Sequence, residues 1–253
     1  MARQNHPFPF SGKLGKLSFF EHSIDGHMVR ERKGPSKKRI MNDPKFSNTR
    51  KTMSEFGKAG KAVKLVRDSI NDQVKDVADA RVTYRFNSAL IAVLQSDPVN
   101  DIGLRKVSAG VLSLLKGFEF NIHNSLKQCI SIDLPSTIDR ATGMLTVNLP
   151  AFVPDEKIKA PQNATHYEIT TIGAAYDFDL EKSVQVVNST GKQLLDGNPT
   201  QAQALQHQLP AASTDALFIF LGVSFYKGAL NGNLEKLNSG AFNALAIINI
   251  DQA

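Results

Sequence analysis

The chain has 253 residues, 42% of them hydrophobic and 21% charged, with a formal net charge of +6. That balance excludes a wholly disordered chain, no apolar run reaches the roughly 18–20 residues of a membrane span, and the single cysteine, Cys129, excludes a disulfide-built scaffold. The first twenty residues hold no continuous apolar run of the signal-peptide kind, so the expected setting is a reduced cytoplasm.

The positive charge is concentrated at one end. Residues 1–67 carry sixteen Lys or Arg against five Asp or Glu, a local +11, and residues 68–253 carry a local −5. Such a split suits a basic arm that meets a polyanion. It equally suits subunits that meet head to body, with complementary potentials guiding register.

The opening stretch, through Leu17, is punctuated by Pro and Gly and reads as an extended arm. Two strand-like runs follow, Leu17–Ile24 and His27–Arg32, joined by Asp25-Gly26. Asp-Gly between such runs predicts a two-residue type I′ turn, because both central residues need positive φ. An isolated hairpin is marginal in water, so this one must lean on its own body or on a neighbour. Asp43-Pro44 predicts a helix start, with Asp43 as cap. Phe46, Thr49, Met53, Phe56, Gly60, Val63, Ile70, Val74 and Val77 then keep a three-and-four spacing, and Gly57 and Gly60 are expected where another backbone comes close. After a break at 71–79, a second helix runs through Tyr84, Leu90, Ile91 and Leu94. Asp97-Pro98 starts a turn, and a third helix is expected from about Asp101 to Leu115, stopping near Gly117.

Beyond Gly117 the period drops to two. Phe118-Phe120-Ile122, Ile130-Ile132-Leu134 and Leu145-Val147-Leu149 alternate with polar residues, and 166–176, 183–187, 217–226 and 242–250 are further strands. Short strands at this spacing predict an antiparallel sandwich. The run Leu217–Tyr226 is apolar on both sides and is expected as a central strand covered on both faces. The expected fold class is therefore α+β: residues 1–42 an N-terminal basic arm and β-hairpin, 43–117 a helical layer of two to three helices, and 118–253 a C-terminal antiparallel β-sandwich.

No constellation of catalytic residues stands out. Gly57-Lys58-Ala59-Gly60-Lys61 resembles the tail of a phosphate loop, but Ala62 replaces the metal-binding Ser or Thr and Glu55 replaces the first Gly. It reads better as a basic helix face. His22 and His27 would share one face of a two-residue hairpin, yet two imidazoles fall short of a structural zinc site. No serine sits in a nucleophile elbow, and Cys129 on an apolar segment reads as filling space. Asp177, Asp179 and Glu181 are surface acids at a strand end. No enzyme activity, cofactor or metal is expected. Nucleic-acid binding is the main alternative, since the basic segment could neutralise phosphates and Phe8, Phe10, Phe19 and Phe20 could stack on bases.

The segments Lys33–Arg50 and Ser54–Lys61, with Gly117–Asn121, Gly222–Tyr226 and Asn243–Ile247, resemble an uncharacterised protein family of Bacteroidota over nearly the whole chain. More loosely the chain is similar to cytoplasmic fibril-forming proteins of gliding bacteria. That resemblance implies a structural, polymerising role and carries over no catalytic motif. The expectation is a non-enzymatic cytoplasmic protein that self-assembles into a filament or similar homopolymer. Phe8, Phe10, Phe19 and Phe20 would be its apolar anchors. Arg30, Arg32, Lys33, Lys37, Lys38 and Arg39 would set register against Asp177, Asp179 and Glu181 of a neighbour.

Overall fold

The structure, a computed structural model, describes residues 1–5, 8–31, 34–228, 233–237 and 242–253. The chain divides within a long helix into two compact units, residues 1–51 and 52–253.

In the first unit the arm is not a free extension. Strands β1 (Ala2–Arg3) and β2 (Gly12–Leu14) flank β3 (Leu17–His22) and β4 (Gly26–Glu31) in an antiparallel sheet of order β1-β4-β3-β2. The Gln4 side chain staples this fold-back. It accepts from the Phe10 amide (2.9 Å) and donates to the carbonyls of Phe10 (3.1 Å) and Met28 (3.0 Å). The β3–β4 connection differs from the expected two-residue turn. His22 pairs with Gly26, so Ser23, Ile24 and Asp25 form a three-residue loop closed by Gly26 at φ +74°. A type I turn followed by a left-handed glycine gives this alternative. The imidazole Nδ1 of His22 also accepts the amide of Asp25 at 3.1 Å. Because strand faces alternate, this register puts His22 and His27 on opposite faces and rules out the shared pair.

Helix α1 (Lys37–Asn42) starts on Ser36, whose hydroxyl accepts the Arg39 amide at 3.2 Å. Asp43 then accepts the Lys45 amide at 3.0 Å and opens a 3-10 turn at Pro44, which runs into α2 (Ser47–Ser69). The expected helix start at Asp43-Pro44 is observed.

The second unit has three layers. Helices α2, α3 (Asn71–Lys75) and α4 (Val82–Gln95) cover one face of a central sheet. A single turn of helix, α5 (Leu126–Cys129), leads to β5 (Ser136–Asp139) and β6 (Met144–Leu149), and a second one, α6 (Pro154–Lys157), leads to β7 (His166–Asp177). The remaining strands are β8 (Lys182–Ser189), β9 (Gln193–Leu194), β10 (Gln203–Gln208), β11 (Ala216–Gly228), β12 (Leu234–Lys236) and β13 (Ala244–Asp251). The central sheet runs β12-β11-β7-β8, with β13 also paired to β11 and β9 to β7. A three-stranded sheet, β10-β6-β5, closes its other face. All pairings are antiparallel. The architecture is α+β with sandwich-like sheets, as expected.

Strand β11 explains the layering. Phe218 and Phe220 point into the helix-side core, while Leu217, Ile219, Leu221, Val223 and Phe225 point into the sheet–sheet core. Both faces are buried, so alternation disappears from its sequence. The helix-side core holds a chain of rings, with Phe86–Phe120 at 5.6 Å, Phe120–Phe220 at 6.1 Å and Phe218–Tyr176 at 5.2 Å between centroids.

Four sequence expectations give way here. The buried stripe of α2 is Glu55, Ala59, Ala62, Val63 and Val66, whereas Met53 and Phe56 are exposed. Gly57 and Gly60 have open space where a Cβ would stand, so no backbone among the described residues approaches those positions. The third helix is absent: residues 101–117 form turns and one 3-10 segment, Leu112–Leu115. Asp97 causes this, accepting the amides of Val99 (2.9 Å), Asn100 (3.1 Å) and Lys106 (2.9 Å) and so holding the loop in a tight coil. Gly110 then lies against α4, where a Cβ would fall 2.1 Å from the Val93 carbonyl. Finally, Phe118–Ile122 and Ile130–Leu134 form no regular strand: the first runs beside β13, with the Phe120 amide donating to the Leu245 carbonyl (2.8 Å) and the Ile247 amide to the Phe118 carbonyl (3.0 Å), and the second makes a bridge from Ile130 to Ile158.

Candidate assembly surfaces

The first unit has a sheet but no interior. None of its described residues is buried. Strand alternation places Leu14, Leu17, Phe19 and Val29 on one face, and Phe10 packs edge-on to Phe19 at 6.0 Å. Phe8, Phe10 and Leu14 are 74%, 58% and 70% exposed. The opposite face carries Phe20 and Met28 among Arg3, Lys13 and Arg30, with the Arg30 guanidinium 5.2 Å from the Phe20 ring centre. Thus Phe19 and Phe20 serve different faces, the first carrying Glu21, His27 and Glu31 beside its apolar residues and the second mixed with cations.

The other basic residues are spread along the unit. Lys37, Lys38 and Arg39 lie on α1, where Arg39 pairs with Asp43 at 3.3 Å and sits over Phe46. Arg32 and Lys33 lie outside the described residues. Residues 1–51 hold twelve Lys and Arg against four Asp and Glu, a net +8, which leaves −2 on residues 52–253.

The three acids named from sequence do cluster at the β7–β8 turn, and each has a partner within its own unit. Asp177 accepts the amides of Asp179 (3.0 Å) and Leu180 (2.9 Å). Asp179 meets Lys106 at 3.2 Å and Ser108 at 3.1 Å, and Glu181 meets Lys61 at 2.6 Å. A neighbouring cation would compete with these contacts.

A different acidic surface, missed in the sequence, lies beside α3. It is a cleft of about 590 Å³ whose floor is the helix-side face of the central sheet. Along that face β7 reads Tyr176, Ala174, Ile172 and then Thr170, Glu168. Beside it β11 reads Phe218, Phe220 and then Gly222, Ser224, Tyr226. The helical layer ends where the side chains change from aromatic to small and polar. Glu168 accepts hydroxyls from Tyr226 (2.5 Å) and Ser189 (2.7 Å) and has no ion pair among the described residues. Burial, with Glu168 beside it, raises the Tyr226 phenol pKa, so Tyr226 stays a donor at neutral pH. Asp72 stands at the rim, 3.8 Å from Lys75, and Asp76 pairs with Lys236. Only the alternation of Thr170 and Glu168 after apolar residues could have hinted at this site.

Other candidates hold no reactive arrangement. Gly57–Lys61 is the middle of α2, and Lys58 donates to the carbonyls of Gly103 (3.1 Å) and Arg105 (2.7 Å). Cys129 is buried, and that burial pushes its thiol up to about 12. His207 is fully buried against Gly173, and its Nε2 lies 3.0 Å from the Thr171 carbonyl. Among the described residues no helix is long and apolar enough to cross a membrane. No family model, curated protein or solved structure matches the chain.

Proposed function

We propose that this chain is a non-enzymatic structural protein that self-assembles in the cytoplasm into a filament or similar homopolymer through its N-terminal unit. The observation that carries the reading is a four-stranded sheet without a single buried residue among those described. Ordering a chain segment costs roughly 1–2 kcal/mol per residue in backbone entropy, and an interior normally offsets it. Here Phe8, Phe10, Leu14 and Leu17 are exposed apolar side chains. Covering them with a second copy supplies the missing burial, and the short outer strands β1 and β2 leave backbone groups open to strand addition. A basic head that meets a different surface on the next copy makes a heterologous contact, which grows into open assemblies when its rotation does not close.

The test compares the full chain with one lacking residues 1–16 by negative-stain microscopy and light scattering. The full chain elongates, and the shortened chain stays folded and unassembled. Elongation of the shortened chain at the same rate would refute the mechanism.

One further reading has its own support, because Arg3, Lys13 and Arg30 share a sheet face with Phe20. That face suits a nucleic-acid backbone and its bases. It predicts retained DNA or RNA with a steep salt dependence that flattens when Arg3, Lys13 and Arg30 are neutralised.

A further inference from the structure

We propose that the cleft beside α3 receives the β2–β3 tip of a second copy of this chain. The proposal rests on the self-assembly reading and names the acceptor surface that the reading leaves open. The tip is the two-residue turn Gly15-Lys16, with Leu14 paired to Leu17 across it. Lys13, Leu14 and Lys16 are all exposed there, on a unit of net charge +8.

The cleft complements this tip in three respects. Its volume of about 590 Å³ lies within the roughly 300–1,000 Å³ of pockets that enclose compact ligands. Of its carboxylates, Asp72 lies 3.8 Å from Lys75 and Asp76 pairs with Lys236, which leaves Glu168. Glu168 is held in place by two hydroxyls and has no counter-cation among the described residues, so an incoming ammonium meets an oriented, unneutralised acceptor. Finally, Val187, an exposed side chain of the cleft wall, offers Leu14 an apolar contact.

The competing surfaces fit less well. Asp179 and Glu181 are each paired with a lysine of their own unit, whereas Glu168 has no such cation among the described residues. The exposed apolar residues Met53, Phe56 and Leu104 share their segments with Lys58 and Arg105, cations that oppose a basic head. A head-to-cleft contact joins two different surfaces, so each subunit keeps one of each to pass on.

Complementation between two full-length variants tests this. Lys13→Glu with Lys16→Glu disables the head and leaves the cleft intact. Asp72→Lys, at a rim position, and separately Ser224→Phe, which fills the cleft, disable the acceptor and leave the head intact. Alone, each variant associates at least tenfold more weakly than the parent and sediments as one chain of 27.7 kDa. Mixed, head and cleft variants form a species of twice that mass and stop, because only one productive contact remains. A thermal midpoint close to the parent's shows that Asp72→Lys is folded. If both cleft variants assemble like the parent while the chain lacking residues 1–16 does not, the cleft assignment is overturned and the self-assembly reading stands. If the chain lacking residues 1–16 assembles, that reading itself is overturned.

Discussion

Replacing Phe8, Phe10 and Leu14 together by serine removes three strongly exposed apolar side chains of the N-terminal unit. Fully burying such a side chain contributes about 1.5–3 kcal/mol. With 74%, 58% and 70% of each still exposed, covering them is worth about 1–2 kcal/mol apiece. Together that is about 3–6 kcal/mol, or two to four powers of ten in the association constant. The same substitutions barely touch the folded core, because none of the three residues is buried and the second unit has its own two cores. Sedimentation equilibrium over a concentration series measures the association constant, and circular dichroism measures the thermal midpoint. The expected pair of results is an association weakened at least a hundredfold and an unchanged midpoint. An association constant within threefold of the parent's would refute burial of this face as the driving force.

Other expectations concern the second unit. Phe220→Ala leaves a hole in the ring chain between Phe120 and Phe218 and should cost about 3–5 kcal/mol, read by denaturant unfolding. Gly110→Ala drives a methyl against the Val93 carbonyl and should destabilise by about 1–3 kcal/mol or more, with the loss concentrated in hydrogen-exchange protection of 97–117. Native Cys129 should not react with a thiol reagent at pH 8 until the protein unfolds, since burial holds its pKa near 12. Burial works against the ionised form of Asp97, yet hydrogen bonds from Lys106, Asn100 and Val99 outweigh it and hold the carboxyl well below the usual range. A depressed folded pKa gives stability that is present above the unfolded value near 4 and lost as pH falls further. Thermal midpoints should therefore fall on acidification below pH 4, and Asp97→Asn should lower the midpoint at pH 7 while losing less on acidification.

Much of the fold is legible where one local rule dominates. Leu217–Tyr226 announces a doubly buried strand by its unbroken apolar run, and the structure extends it to Ala216–Gly228. Asp43-Pro44 announces a helix entry. The failures arise where side chains override period. Residues 101–115 have helical spacing, but four contacts to the Asp97 carboxylate coil them instead. Strand β10 escapes notice because Gln203, Gln206 and Gln208 hide the inward pair Leu205 and His207. The hairpin is found but its loop is one residue longer than Asp-Gly suggests, and that single residue separates His22 from His27. Asp177, Asp179 and Glu181 are correctly placed together, while their internal partners, Lys61 and Lys106, lie far away in sequence. The acidic cleft depends on α3, β7, β8, β11 and β13 meeting at one point, which no local pattern reports.

Light scattering of the purified full-length protein over concentration and salt tests the central claim most directly. The account predicts a mean mass that rises with concentration well above 27.7 kDa and falls back as salt screens the basic head from the acidic cleft. A monodisperse species of one chain's mass at every concentration and ionic strength would contradict it.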